Sequence, residues 1–388
     1  MNIAYILHST ASNAGANKAL MNMLGGLLPY GIHPFAVVPD GEGITQELKK
    51  RDIPTLIINY RSSAYPHSHT MKEKLLFLPR LGARIFVNQR ATRAVKGFLK
   101  ENRIDIVHSN SGVVRIGFDA AQKVGVPHIY HIREYGDLDF GVRYFPNREA
   151  FLRQLKMPNN YTICITKDVQ RHQQLSGVAT SRVIYDGVFP ALSKMSVGTE
   201  KDYFLYAGRI EPAKGLDQLL LAYKRYVEQT DSPIPLKVAG ACGQLPYYRQ
   251  QVEYVNEQGL AHLVEFVGEY NDIAFLMWQA RALVIPSRNE GFGFCMPEAM
   301  QQGCLCIARN TGGTKEQLDN ALQMMGEEIA LRYDTVEQLT ECLHQVGNHA
   351  PDDYASCTER AFKVVNRLYT KDVHAKNVYE FYQEIIGK

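Results

Sequence analysis

The chain has 388 residues, too long for one ordinary domain and comfortable for two of about 190, each able to bury a full core. Hydrophobic residues make up 45% and charged residues 21%; this is ordinary globular composition, which excludes a disordered or low-complexity chain. The net charge is only +3, no run reaches the ~18 uninterrupted apolar residues of a membrane span, and the seven cysteines form no CxxC pair. An odd number of unpaired cysteines reads as reduced thiols in a cytoplasm, and no metal-ligand spacing is present.

The first segment, Met1-Asn-Ile-Ala-Tyr-Ile-Leu-His8, reads as a short strand and lacks the basic leader and cleavage site of a signal peptide. Ser12-Asn-Ala-Gly15-Ala16-Asn17 is then a small-residue turn from strand to helix. Further strands are expected at 34–38, 55–58, 104–108, 128–132 and 162–165. Between the third and fourth lies a basic stretch: from Arg61 to Arg103 ten Lys or Arg residues face two acids, Glu73 and Glu101. Its local balance of +8 leaves −5 for the rest of a chain of net +3. With Leu75-Leu-Phe-Leu78 and helical periodicity, it suits an amphipathic surface for anionic lipid headgroups or a phosphorylated acceptor. Nucleic acid is disfavoured, because no aromatic stacking platforms are interleaved with the charges.

The connection Val183-Ile-Tyr-Asp-Gly-Val-Phe-Pro190 carries an Asp-Gly turn and a proline, and reads as a hinge. Beyond it strands are expected at 203–208, 236–239, 264–267, 283–285 and 305–308, again alternating with helices. Such alternation gives parallel sheets by right-handed crossovers, hence two Rossmann-like α/β domains. The last segment, Val373–Ile386, sets Val373, Val378, Phe381, Tyr382 and Ile385 on one helical stripe.

Two clusters in the second half carry chemistry. The strand Tyr203-Phe-Leu-Tyr-Ala-Gly208 runs into Arg209-Ile-Glu-Pro-Ala-Lys214-Gly215. Arg209 and Lys214 therefore sit at a helix N-terminus whose free N–H groups already favour anions, and a diphosphate is the natural guest. About 75 residues on, Glu290-Gly-Phe-Gly-Phe-Cys-Met-Pro-Glu298 follows the apolar run Ala282-Leu-Val-Ile-Pro286. Pro297 suits the first position of a helix, so Glu298 enters its first turn while Glu290 stays on the loop. Carboxylates at the carboxyl end of a strand suit sugar hydroxyls, each accepting charge-assisted hydrogen bonds from a vicinal diol.

Through Gly208-Arg209 with Lys214-Gly215, the Glu290-to-Glu298 pair with its Gly-Phe-Gly, and Pro286-Ser287, the chain resembles the retaining glycosyltransferases of the GT-B fold, glycosyltransferase family 4 (group 1). Gly15-Ala16, Asp186-Gly187, Phe266-Val-Gly268, Gly303 and Gly312-Gly313 extend the resemblance over nearly the whole chain. It implies two Rossmann-like domains facing across a cleft, 1–185 for the acceptor and 186–370 for the nucleotide sugar, with 371–388 a helix packing back on the first domain. It further implies that Arg209 and Lys214 neutralise the departing nucleoside diphosphate in place of a metal ion, so that no metal or other cofactor is needed. Glu298 would hold the ribose and Glu290 the sugar hydroxyls. Gly291, Phe292, Gly293 and Phe294 would offer backbone N–H groups to sugar and phosphate, Val267 would contact the base, and Gly15, Ala16 and Asn17 would touch the diphosphate.

The chain departs from the family in two places. It writes Ala14-Gly-Ala-Asn17 where relatives usually write Gly-Gly-Ala-Glu, which weakens a phosphate role for Ala14. In Pro127-His-Ile-Tyr-His-Ile-Arg133-Glu134 an arginine stands where many relatives carry a histidine. Either Arg133 stabilises charge directly, or His131, two residues back on the same strand face, reaches the donor instead. The activity implied is transfer of a hexose, from a UDP-sugar by preference, to a glycan or lipid-linked acceptor of a bacterial-type surface polysaccharide. The expected location is the cytoplasm, peripheral to the inner membrane face. A UDP-sugar 2-epimerase of similar form and a non-catalytic nucleotide-sugar-binding scaffold are the alternatives.

Overall fold

The computed structural model describes residues 1–12, 14–66, 71–195 and 201–387. They form two compact units, Met1–Gly187 with Lys371–Lys388, and Val188–Thr370.

The first unit carries strands β1 (Asn2–Ile6), β2 (His33–Val38), β3 (Thr55–Ile57), β4 (Ala64–Pro66), β5 (Ile106–Ser109), β6 (His128–Ile132), β7 (Val142–Tyr144), β8 (Asn160–Cys164) and β9 (Ser181–Val183). Seven of them make a sheet in the order β3-β2-β1-β5-β6-β8-β9, and β4 pairs with β7 apart from it. Every pairing within the seven is parallel, and both faces are covered, which is why β1, β5 and β6 read as near-continuous buried runs. On one face the helices Gly15–Leu27 and Lys371–Ile386 pack together over β1 and β2, joining Leu20, Met23 and Leu24 to Ala375, Val378, Phe381 and Tyr382. They approach closely because Gly26 has no side chain: a Cβ there would stand 2.6 Å from that of Ala375. The division falls after Gly187 rather than at 185. Asp186 is fully buried in the first unit, and a Cβ on Gly187 would lie 2.6 Å from Lys371 Cα. The other face is covered by Met71–Glu101, which buries Ala91, Val95 and Leu99 against Ile116, Ala120 and Ala121.

The second unit has β10 (Tyr203–Ala207), β11 (Leu236–Ala239), β12 (Val264–Gly268), β13 (Ala280–Ile285), β14 (Leu305–Arg309) and β15 (Leu331–Tyr333), ordered β12-β11-β10-β13-β14-β15. All pairings are parallel. The chain builds outward from β10 to β12, then returns to β10's other side with β13, so the carboxyl ends of β10 and β13 flank the point where strand order reverses. Open α/β sheets hold their ligands there. The core beneath is anchored by Leu219, Leu220 and Tyr223 of one helix and Leu339, Leu343 and Val346 of another. Among the described residues no helix is long and apolar enough to cross a membrane.

Candidate functional site

The corner between β10 and β13 is assembled by close backbone approaches. Leaving β10, Gly208 donates its N–H to Ala239 O at 3.0 Å; a Cβ on the facing Gly240 would lie 1.9 Å from Gly208 O. The chain then makes a short 3₁₀ turn, Pro212–Lys214, closed by Gly215 at φ +70 before the helix Leu216–Glu228. A side chain at Gly215 would meet Pro286 O at 2.0 Å, so glycine lets the turn lie on the end of β13. That contact brings Lys214 Nζ to Glu290, 2.7 Å from Oε2 and 3.0 Å from Oε1. Burial disfavours the Lys214 ammonium, but the Glu290 carboxylate more than offsets this, and its pKa ends above the usual lysine value. Lys214 is therefore a permanent cation. Arg209 is half exposed and pairs with Glu211 at 3.0 Å.

The glycine-aromatic loop is held from behind. Gly313 donates its N–H to Glu290 O at 2.6 Å, and Gln317 Nε2 donates to Phe292 O at 2.5 Å. A Cβ on Gly313 would stand 2.6 Å from the Phe292 backbone, and Gly293 takes φ +88. Phe292 is buried, while Gly291 and Phe294 are half-buried. The helix begins at Cys295, two residues earlier than expected. Pro297 is tolerated inside it because the first four N–H groups of a helix have no intrahelical acceptor. Glu298 still lies in the first turn, half-buried. Between them the Cys295 thiol is pushed up to about 12 by burial and the Glu290 charge, so it stays protonated and inert. On the edge strand β12 the register steps past Val267, pairing Val238 with Phe266 and Ala239 with Gly268. This bulge turns Val267 out of the regular ladder.

In the first unit, His131 and Arg133 belong to a buried polar network. Arg133 holds Asp186 with two prongs, Nε to Oδ2 at 2.8 Å and a terminal nitrogen to Oδ1 at 3.0 Å, and donates to Asn110 Oδ1 at 2.7 Å. His131 Nδ1 lies 3.1 Å from His108 Nε2 and 3.2 Å from Arg133, and the His131 ring stacks on His374. His374 comes from the C-terminal helix and bonds Tyr185 O at 2.6 Å. Burial first, then the Arg133 charge, holds His131 and His108 well below the usual histidine range, so both are neutral. Of the two residues expected to face the donor, His131 is wholly buried, and Arg133, with 6% of its side chain exposed, is engaged at all three nitrogens. His131, Asp186 and His374 offer three metal-type donor atoms within 4.8 Å. The Arg133 guanidinium already satisfies both Asp186 oxygens, and a divalent ion beside it would bury uncompensated positive charge.

The first-domain turn is also built differently. Gly15 opens the helix Gly15–Leu27, and Asn110 Nδ2 donates to Ala16 O at 3.0 Å. Asn17 is fully buried, with its amide donating to Ser9 O and Ala11 O, so its side chain holds the shape of the turn. Sequence reasoning missed Asp186 as the partner of Arg133 and His374 as the ring stacked on His131; Asp186 and His374 lie far along the chain from both, and no local spacing signals them.

Two parallel doubly wound sheets define the GT-B class, and the comparisons agree. Anabaena HepE, solved in complex with UDP, superposes with a TM-score of 0.78 at 17% identity, covering 99% of this chain and 100% of that one. WaaG, a glycosyltransferase involved in lipopolysaccharide biosynthesis, gives 0.68 at 17% identity, with both chains wholly covered. A glycosyltransferase of Methanocaldococcus jannaschii, MJ1178, is 26% identical over 302 residues, 75% of this chain and 80% of its own. Residues 193–342 match the model of glycosyl transferases group 1. The second unit thus belongs to the group 1 glycosyltransferase family.

Proposed function

We propose that the protein is a retaining glycosyltransferase that moves a hexose from a UDP-sugar to a glycan or lipid-linked acceptor of a surface polysaccharide, without a metal ion. The observation that carries this is the Lys214–Glu290 pair, a fixed cation and a carboxylate 2.7 Å apart at the switch point of a doubly wound sheet. A diphosphate needs the first and a sugar's hydroxyls the second. Lys214, with Arg209, stabilises the negative charge that grows on the leaving diphosphate, and does so without reorganising. Glu290 accepts from the sugar hydroxyls and Glu298 from the ribose, while Gly291, Phe292, Gly293 and Phe294 lend backbone N–H groups and Val267 meets the base. On the first unit Gly15 and Ala16 lie at a helix N-terminus suited to an anion. Arg133 and His131 act by position, stiffening the strand end. HepE complexes with UDP and with UDP-glucose support the choice of donor, and WaaG supports the choice of acceptor class.

The helix Met71–Glu101 favours action at a membrane surface. Met71, Leu75, Leu78 and Phe86, each about 70% exposed, fall with Ile85 on one stripe, and Arg93, Lys96 and Lys100 continue the same line. Apolar groups followed by cations suit an anionic bilayer. Residues 67–70 of the basic stretch and the side chain of Lys74 lie outside the described residues.

The test is UDP release from UDP-hexoses in EDTA, with the anomeric configuration of the product read by NMR. Release with a retained anomer supports the proposal. Inversion, a metal requirement, or a 2-epimerised UDP-sugar as the sole product contradicts it.

A further inference from the structure

We infer that Arg288 and Asp217, backed by Tyr247, form a buckle that sets the distance between Lys214 and Glu290; the inference rests on reading that corner as the donor site. Lys214 and Glu290 sit on different connections, Lys214 at the end of the 3₁₀ turn after β10 and Glu290 on the irregular loop after β13. Something must fix one loop against the other, because a misplacement near 1 Å at a reacting centre costs about 100-fold in rate.

Three fastenings meet at Arg288. Its backbone N–H donates to Ala213 O at 2.9 Å, stitching the end of β13 to the 3₁₀ turn next to Lys214. Its guanidinium spans Asp217, 3.0 Å from Oδ1 and 2.5 Å from Oδ2, and also reaches Pro212 O. Behind the pair, Tyr247 donates its hydroxyl to Asp217 Oδ1 at 2.7 Å and accepts from the Asp217 backbone N–H at 3.1 Å. Tyr247 belongs to the helix Leu245–Glu257, which follows β11, so the segments after β10, β11 and β13 meet at one carboxylate.

A planar two-pronged fork fixes orientation as well as distance, which a lysine at 288 would not do. About a third of each side chain is exposed, 34% for Arg288 and 38% for Asp217. An ion pair that accessible adds little to stability. Its value therefore lies in geometry. Neutralising Asp217 also serves the site: this carboxylate occupies the first turn of the helix whose N-terminus would face the diphosphate, and left bare it would repel that charge. Arg288 is thus a positioning residue, acting on Lys214 and Glu290 through the backbone they share.

The experiment is a double-mutant cycle in the full chain: Arg288→Ala, Asp217→Ala, both together, and Arg288→Lys. The readouts are donor kcat and KM, and amide hydrogen exchange of segments 208–215 and 288–294. Each single variant should lower kcat about 10- to 100-fold with a smaller change in KM. Exchange in the two segments should rise about tenfold or more while β11 and β14 keep their protection. The double variant should be no worse than the worse single, since one buckle can be opened only once. Arg288→Lys should resemble Arg288→Ala; full rescue by lysine would make the role one of charge alone and overturn the inference. Multiplicative losses in the double variant would overturn it too, by showing Arg288 acting independently on the ligand. Should the wild-type chain release no UDP from any donor, the donor-site reading fails, and the exchange arm alone decides whether the buckle exists. Unchanged exchange in both singles would then refute it.

Discussion

Lowering the pH from 7.5 to 5.5 should destabilise the first unit, because its sheet buries neutral histidines. His128 is fully enclosed, with Nε2 2.8 Å from Ser109 Oγ and Nδ1 2.7 Å from Asn160 Oδ1. Burial drives its pKa down to about 3, with the Asn160 hydrogen bond opposing. The unfolded chain titrates near 6.5. Below that value the unfolded state takes up a proton that the folded state refuses, so stability falls as the pH drops and goes on falling until the folded pKa is reached. At pH 5.5 an unfolded histidine is about nine-tenths protonated, which for His128 alone removes about 1.4 kcal/mol. His108 and His131, lowered by burial and by Arg133, act in the same direction. Glu134 opposes them, since burial raises its carboxyl pKa and favours the folded state in acid; the comparison therefore stops at 5.5, above the carboxylate range. For a domain of this size 1.4 kcal/mol lowers Tm by about 3–5 °C, and the cluster together by more. Scanning calorimetry at constant ionic strength would measure this, with UDP added to displace the second unit's transition. An unchanged or raised first-unit Tm at pH 5.5 would refute the reasoning.

If, as proposed, both act on charge that develops as the sugar leaves, removing Lys214 or Arg209 as alanine should lower kcat by about 10²–10³ with much less effect on donor KM. Steady-state kinetics showing unaltered turnover would remove them from the mechanism. Glu298→Gln should weaken binding of UDP itself in calorimetric titration, whereas Glu290→Gln should leave UDP affinity nearly intact and impair transfer. Equal losses of affinity would contradict the division of labour. Replacing Leu75, Leu78 and Phe86 together by serine should abolish co-sedimentation with anionic vesicles. In the wild-type protein that binding should fall steeply with salt, as expected for attraction screened over about 8 Å at physiological ionic strength.

Much of this architecture was legible wherever a strand was long and buried on both faces. β1, β10 and β13 are largely apolar runs of the kind a covered parallel sheet accommodates. β4, β7, β9 and β15 are three residues each, too short for any period to show, and they were not anticipated. In the second unit the charges of the site were readable one loop at a time; their pairing was not, because it depends on the close approach of Gly215 to Pro286, which no local spacing signals. The buckle was invisible for the same reason, as Asp217 reads as an ordinary first-turn acid on its helix. In the first unit His131 and Arg133, two residues apart, read as alternative ligands for a donor; the contacts they make with Asp186 and His374 come from distant parts of the chain and carry no local signal.

The central claim is that the second unit's switch-point corner binds a nucleoside diphosphate sugar through Lys214, Glu290 and Glu298. Calorimetric titration of UDP and UDP-glucose into the full chain, wild type against Glu298→Gln, tests it most directly. The account predicts saturable one-to-one binding of both ligands in EDTA, weakened at least tenfold by the substitution, an effect of about 1.4 kcal/mol. Absence of binding in the wild type, or affinity indifferent to Glu298, would contradict it.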